Sequence, residues 1–136
     1  MAAAYNATTR TNRLKAVRDQ IDSKTWVDGS GAGSAGSLVL GTSALSGATG
    51  VLATIPLPNP GSTVSGDVLT LAGLPLSAAA SAAGTLAKAE IRNNAGTPIL
   101  TGLTVGTSAS DIIVNTTTTT VGQTVTVTAA TITHPT

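Results

Sequence analysis

Cysteine and phenylalanine are absent from this 136-residue chain, and tryptophan, tyrosine, methionine and histidine occur once each. Without cysteine there is no disulfide framework and no thiolate metal centre. A single histidine, His134, excludes a His-based metal cluster and most acid–base dyads within one chain. Charge is scarce as well: 10% of residues are charged and the net charge is +1. A dedicated nucleic-acid binder needs many phosphate-neutralising cations, so nucleic acid is not the expected partner. No run approaches the roughly 18 consecutive apolar residues of a spanning helix. The most apolar stretch, residues 76–89, is interrupted by Ser77, Ser81, Gly84, Thr85 and Lys88. Residues 1–10 lack the basic and apolar tracts of a signal peptide. Neither a membrane association nor secretion is expected, and the expected compartment is a reducing cytoplasm.

What is present is small. Ala, Val, Leu and Ile supply most of the 41% hydrophobic fraction, and aromatic residues make up 1% of the chain. Aromatic side chains bury the most area per residue, so the core is expected to be thin. Burial contributes only about 25 cal/mol per Å², and a thin core is expected to be completed by association, hence a homo-oligomer.

Five of the seven basic residues, Arg10, Arg13, Lys15, Arg18 and Lys24, lie in the first 24 positions. There Leu14, Val17 and Ile21 recur at helical spacing, which predicts a helix over residues 12–22 with Thr11 or Asn12 as its cap. Trp26 follows as a packing anchor. Residues 29–37 read as a Gly/Ser linker. The G-x-G-x-x-G within them (Gly31, Gly33, Gly36) has a helix before it and a strand after it, the reverse of the dinucleotide-binding context. The expected organisation is a helical arm (1–28), the linker (29–37) and a β domain (38–136).

From Leu38 onward short alternating runs are separated by turn signals. Strands are predicted over residues 51–57, with Pro56 and Pro58 confining the end of that run to an edge or a bulge, and over 68–71, 85–92, 97–105, 111–115 and 124–128. Residues 93–96 form a hairpin turn. Val125 and Val127 share one face and three Thr the other, and Ala129-Ala130 shifts the phase, which predicts a bulge. Residues 76–84 remain open between helix and strand, because Ala favours helix. Strands at this spacing predict a mainly β fold, an antiparallel β-sandwich or barrel of Ig-like or jelly-roll-like type.

No catalytic set is nominated. His134 has no orienting carboxylate to complete a triad, and the acidic residues occur singly, so no carboxylate pair or Ca²⁺ loop is nominated. Lys88, Glu90 and Arg92 alternate along one strand as a solvated face or a binding patch. Arg10, Arg13, Lys15 and Arg18 read as a solvated face, as a dock for an acidic partner, or as a phosphate contact. No cofactor and no small-molecule substrate are expected. The candidate partner-binding residues are Leu14, Val17, Ile21, Arg13, Arg18 and Trp26. On that reading, removal of residues up to Ser23 leaves the β domain folded.

The opening helix Asn12-Arg13-Leu14-Lys15-Ala16-Val17-Arg18-Asp19-Gln20-Ile21-Asp22 leads, through an Ala/Ser-rich stretch, to a hairpin with a Gly turn. Then come Thr101-Gly102-Leu103-Thr104-Val105-Gly106, Ser110-Asp111-Ile112-Ile113-Val114, Gln123-Thr124-Val125-Thr126-Val127-Thr128 and Thr131-Ile132-Thr133-His134-Pro135. This order resembles a family of small virion proteins of tailed bacteriophages. The chain departs from that family where Lys88, Ala89 and Glu90 stand in place of aromatic residues and an arginine. The resemblance implies a non-enzymatic component of the virion, assembled in the bacterial host, most readily a capsid decoration (cement) protein. It also implies the major capsid protein or neighbouring virion proteins as partners, with a trimer suited to three-fold lattice sites. The alternatives are a neck, collar or tail component, and, in another class, a cellular carbohydrate- or protein-binding β-sandwich module.

Overall fold

A computed structural model describes residues 6–24, 33–59 and 61–133. Trp26, His134 and residues 29–32 of the expected linker lie outside the described residues. Among the described residues, one helix, α1 (Ala7–Ile21), precedes eleven strands: β1 (Ser37–Ser46), β2 (Thr49–Pro56), β3 (Ser62–Ser65), β4 (Val68–Leu71), β5 (Leu76–Ala79), β6 (Gly84–Thr85), β7 (Lys88–Arg92), β8 (Pro98–Gly106), β9 (Ile112–Val114), β10 (Thr118–Thr119) and β11 (Thr124–Thr133). The fold is mainly β, with 51% of the described residues in strands.

The helix begins earlier than its apolar stripe. Asn6 is the N-cap, its side chain accepting from Thr9 N at 2.8 Å, so the expected cap at Thr11 or Asn12 is corrected. Thr8, Thr9 and Thr11 are modest helix formers. Tertiary bonding supports the helix at Thr11, whose Oγ1 donates to Gly66 O at 2.6 Å and also lies 3.0 Å from Ala7 O one turn back. The helix ends in a Schellman arrangement, with Ser23 N donating to Gln20 O and Lys24 N to Asp19 O.

Nine strands form one sheet in the order β2-β1-β7-β8-β9-β11-β4-β3, with β5 also paired to β11. A second sheet holds only β6 and β10. The sheets are open and mixed, so the closed barrel and the wholly antiparallel pairing are both corrected. The large sheet ends on β2, which carries Pro56 and cannot donate there, and on β3, which is four residues long. The parallel contact is β8 with β9, Val105 opposite Ile112 and Gly106 opposite Ile113. A short link between neighbouring strands ordinarily makes a hairpin. Here Ala109 takes a left-handed φ of 52°, and Asp111 Oδ2 accepts from Thr104 N at 3.1 Å, which brings the chain back alongside itself.

The Ala-rich stretch becomes strand β5, because pairing overrides propensity: Leu76, Ser77, Ala78 and Ala79 face Val127, Thr126, Val125 and Thr124. The expected phase shift in β11 is a register break between Val127 and Ala129. The core is a single aliphatic cluster drawn from both halves of the large sheet, including Leu38, Leu40, Ile55 and Ile91 on one side and Leu69, Ile112, Val125 and Val127 on the other. In β11 alternation puts Val125 and Val127 on the core face and leaves Thr124, Thr126 and Thr128 on the other, whereas in β1 and β7 both faces are covered, Val39 and Glu90 being buried as well.

Candidate functional site

The helix was expected to offer Leu14, Val17 and Ile21 to a partner. Instead Leu14 and Ile21 are buried in the chain's own core cluster, and Val17 packs against it. The helix runs along the β3–β4 hairpin and also meets β8. Its N-terminal half is fixed by Arg10 Nε, 3.5 Å from Asp67 Oδ2, and by the Thr11–Gly66 bond. Its C-terminal end is fixed by Gly61 N donating to Asp22 Oδ1 at 2.8 Å. The reason is elementary: an isolated helix of this length is marginal, and the nearest apolar surface is the sheet that follows it. Arg13 is exposed on the outer side of the helix, and Arg18 is turned onto Asp19 Oδ1 at 2.8 Å. The predicted set is therefore not one surface. Its apolar members are internal, Arg18 is paired within the helix, and Trp26 is outside the described residues.

Lys88, Glu90 and Arg92 do not form a uniform solvated stripe either. Lys88 is exposed, but Glu90 is buried opposite Val39. Arg92 Nη2 donates to Glu90 Oε2 at 2.8 Å and to Gly47 O at 2.6 Å. Gly47 sits at the tip of the β1–β2 hairpin, so the tip folds back over this part of the sheet. Gly41 and Gly50 permit the bend: a Cβ on Gly41 would strike Gly50 O, and Gly50 has a φ of 74°. The hairpin tip, which sequence patterning alone does not place, thus meets Arg92, while Lys88 stays exposed.

The outward face of β11 and its neighbours is different in kind. Thr124, Thr128, Thr131 and Thr133 are exposed and Thr126 is half-buried. Across the ladder stand Ala79, Ser77, Thr70 and Val68, and beyond β4 are Thr63 and Ser65, both exposed. None of the strands β3, β4, β5, β9 and β11 contains a charged residue. Nearby, Val121 is exposed at the turn before β11, with 74% of its surface accessible. The sequence signal for this face is the alternation of three Thr with Val125 and Val127, which marks a strand and does not say what covers it.

A shallow cleft of about 440 Å³, lined by Gly36, Thr54, Pro56, Asn93 and Asn94 among others, has no charged residue in its wall. Gly33 and Gly36 of the Gly-rich motif lie in the lead-in to β1. Among the described residues, no three His, Cys, Asp or Glu side chains gather into a metal-binding group, and no helix is long and apolar enough to cross a membrane. Comparison of the chain with protein-family models, with curated proteins and with solved structures returns no match.

Proposed function

We propose that the chain is a non-enzymatic structural component of a tailed-phage virion, a capsid decoration protein that seats its uncharged hydroxyl face on the major capsid protein or on a neighbouring virion protein. The observation that carries this reading is the charge-free set β3, β4, β5, β9 and β11 with its outward Thr and Ser residues. Such a face suits a broad, repeated contact. Thr is stiff at χ1, so its shape is set before contact, and short side chains lose little rotamer entropy when covered. Hydroxyls are costly to bury only when unpaired, and a partner strand or loop offers them main-chain groups. We read the two halves of the large sheet as the layers of a sandwich, supported by the one cluster they share, and the oligomer as a trimer on three-fold lattice positions.

The resemblance in the order of the helix, the hairpin and the closing Thr/Val strand supports the virion assignment. The test is the stoichiometry of the chain in purified virions, by quantitative mass spectrometry against the capsid protein. Decoration predicts a copy number comparable to that of the shell subunit. A copy number of a single ring would move the chain to the neck or tail, and absence from the particle would overturn the reading.

A further inference from the structure

The C-terminal end of α1 carries an imbalance of charge that the fold does not resolve. Asp19 and Asp22 are each 1% exposed. They lie three residues apart on the helix, and residues so spaced are neighbours on its surface. Both sit at the negative end of the helix dipole, where carboxylates are unfavourable. Asp19 Oδ1 is taken by Arg18, and Asp22 Oδ1 has only the neutral Gly61 N–H. The second oxygen of each carboxylate, Asp19 Oδ2 and Asp22 Oδ2, is buried and accepts no hydrogen bond.

A third orphan belongs to the opposing strand. Ser62, next to Gly61, is 1% exposed, and its Oγ is buried with no partner. Ser62 and Val64 share one side of β3 by alternation, and Val64 packs against the cluster that contains Leu14 and Ile21, so Ser62 is on the side that meets the helix. Gly61 lets the two elements approach closely: a Cβ there would stand 3.2 Å from Asp22 Oδ1 and 3.3 Å from Pro58 O. Burying a carboxylate without compensation is expensive, and here two carboxylates of the helix end and a hydroxyl of β3 each keep a buried oxygen that has no hydrogen-bond partner.

We propose that this seam binds a hard cation, Ca²⁺ in the first instance, through Asp19, Asp22 and Ser62, and that the ion fastens α1 to β3. Oxygen-only donors select hard cations, and these three side chains leave the rest of the Ca²⁺ shell to water or to main-chain oxygen. Arg18 balances only one of the two carboxylates, so the ion supplies the charge the seam lacks. The sequence signal for the seam is a pair of acids three residues apart at the C-terminal end of a helix.

The test is thermal unfolding of the full chain in EDTA and in millimolar CaCl₂ at constant ionic strength, for the parent, Asp22→Asn and Ser62→Ala. A ligand that binds only the folded state raises the midpoint by mass action. The parent is expected to gain several degrees in CaCl₂. Asp22→Asn, which keeps the acceptor for Gly61 N–H, is expected to gain nothing, and to match or exceed the parent in EDTA because a buried charge has gone. Ser62→Ala removes an orphan hydroxyl, is expected to fold, and should show a reduced gain, so it decides the matter if Asp22→Asn does not fold. A parent midpoint that is the same in both buffers, or a gain shared in full by the variants, overturns the proposal.

Discussion

Ser23 holds a left-handed φ of 56° immediately after the helix C-cap, the position at which glycine is usual. An L-residue there costs about 1–2 kcal/mol, and glycine returns part of that as unfolded-state entropy. Ser23→Gly is therefore expected to raise stability by about 0.5–1 kcal/mol, seen as a higher denaturant midpoint with an unchanged slope; a lower midpoint would contradict it. The Glu90–Arg92 pair gives the opposite lesson. Its side chains are 9% and 14% exposed, and removing one partner strands the other. Arg92→Met is expected to cost about 3 kcal/mol, whereas Glu90→Leu with Arg92→Met together should fall within about 1 kcal/mol of the parent. Urea denaturation of the two variants checks this, and equal losses would mean that the ion pair does not govern the site.

At the scale of elements, the helix is part of the core. Full burial of a residue such as Leu14 or Ile21 is worth about 1.5–3 kcal/mol each, against a total stability of about 5–15 kcal/mol for a domain. Removal of residues 1–23 is therefore expected to abolish cooperative unfolding, followed by circular dichroism. Leu14→Ala and Ile21→Ala should each cost about 2–5 kcal/mol. A truncated chain that melts cooperatively at the parental temperature would restore the detachable arm. The periodicity of Leu14, Val17 and Ile21 announces that a face is buried, but it does not say on what, and that is where the sequence reading went astray. Local patterns served better where local chemistry dominates: Val68–Leu71 is a strand as predicted, residues 93–96 turn between β7 and β8, and β11 breaks register after Val127. They failed where pairing at a distance decides. Leu76–Ala79 is a strand only because β11 lies beside it, and Ser62–Ser65, for which the sequence predicts no strand, is held by its pairing with β4. The parallel contact of β8 with β9 depends on the Thr104–Asp111 clamp, which no spacing rule encodes.

For the whole molecule, charge is concentrated on the helix and around β7, while five strands present an outer surface of hydroxyls and small side chains. Charged rims chiefly set encounter rates, whereas an uncharged, pre-shaped face is the part that can be covered at little desolvation cost. On the proposed function, that separation favours β11 and its neighbours as the docking surface over the helix stripe, which the chain uses internally. Thr124 and Thr128 are exposed on this face, so Lys at both sites should leave the fold intact. In the covered state the same two residues would be unpaired ammonium groups, each costing several kcal/mol. The decisive measurement is co-sedimentation of the Thr124→Lys, Thr128→Lys chain with capsid shells that lack the native protein, alongside the parent and Arg13→Glu. The account predicts at least a roughly tenfold loss of occupancy for the Thr variant, equivalent to about 1.4 kcal/mol, with Arg13→Glu bound nearly as well as the parent. Full occupancy by the Thr variant would contradict it.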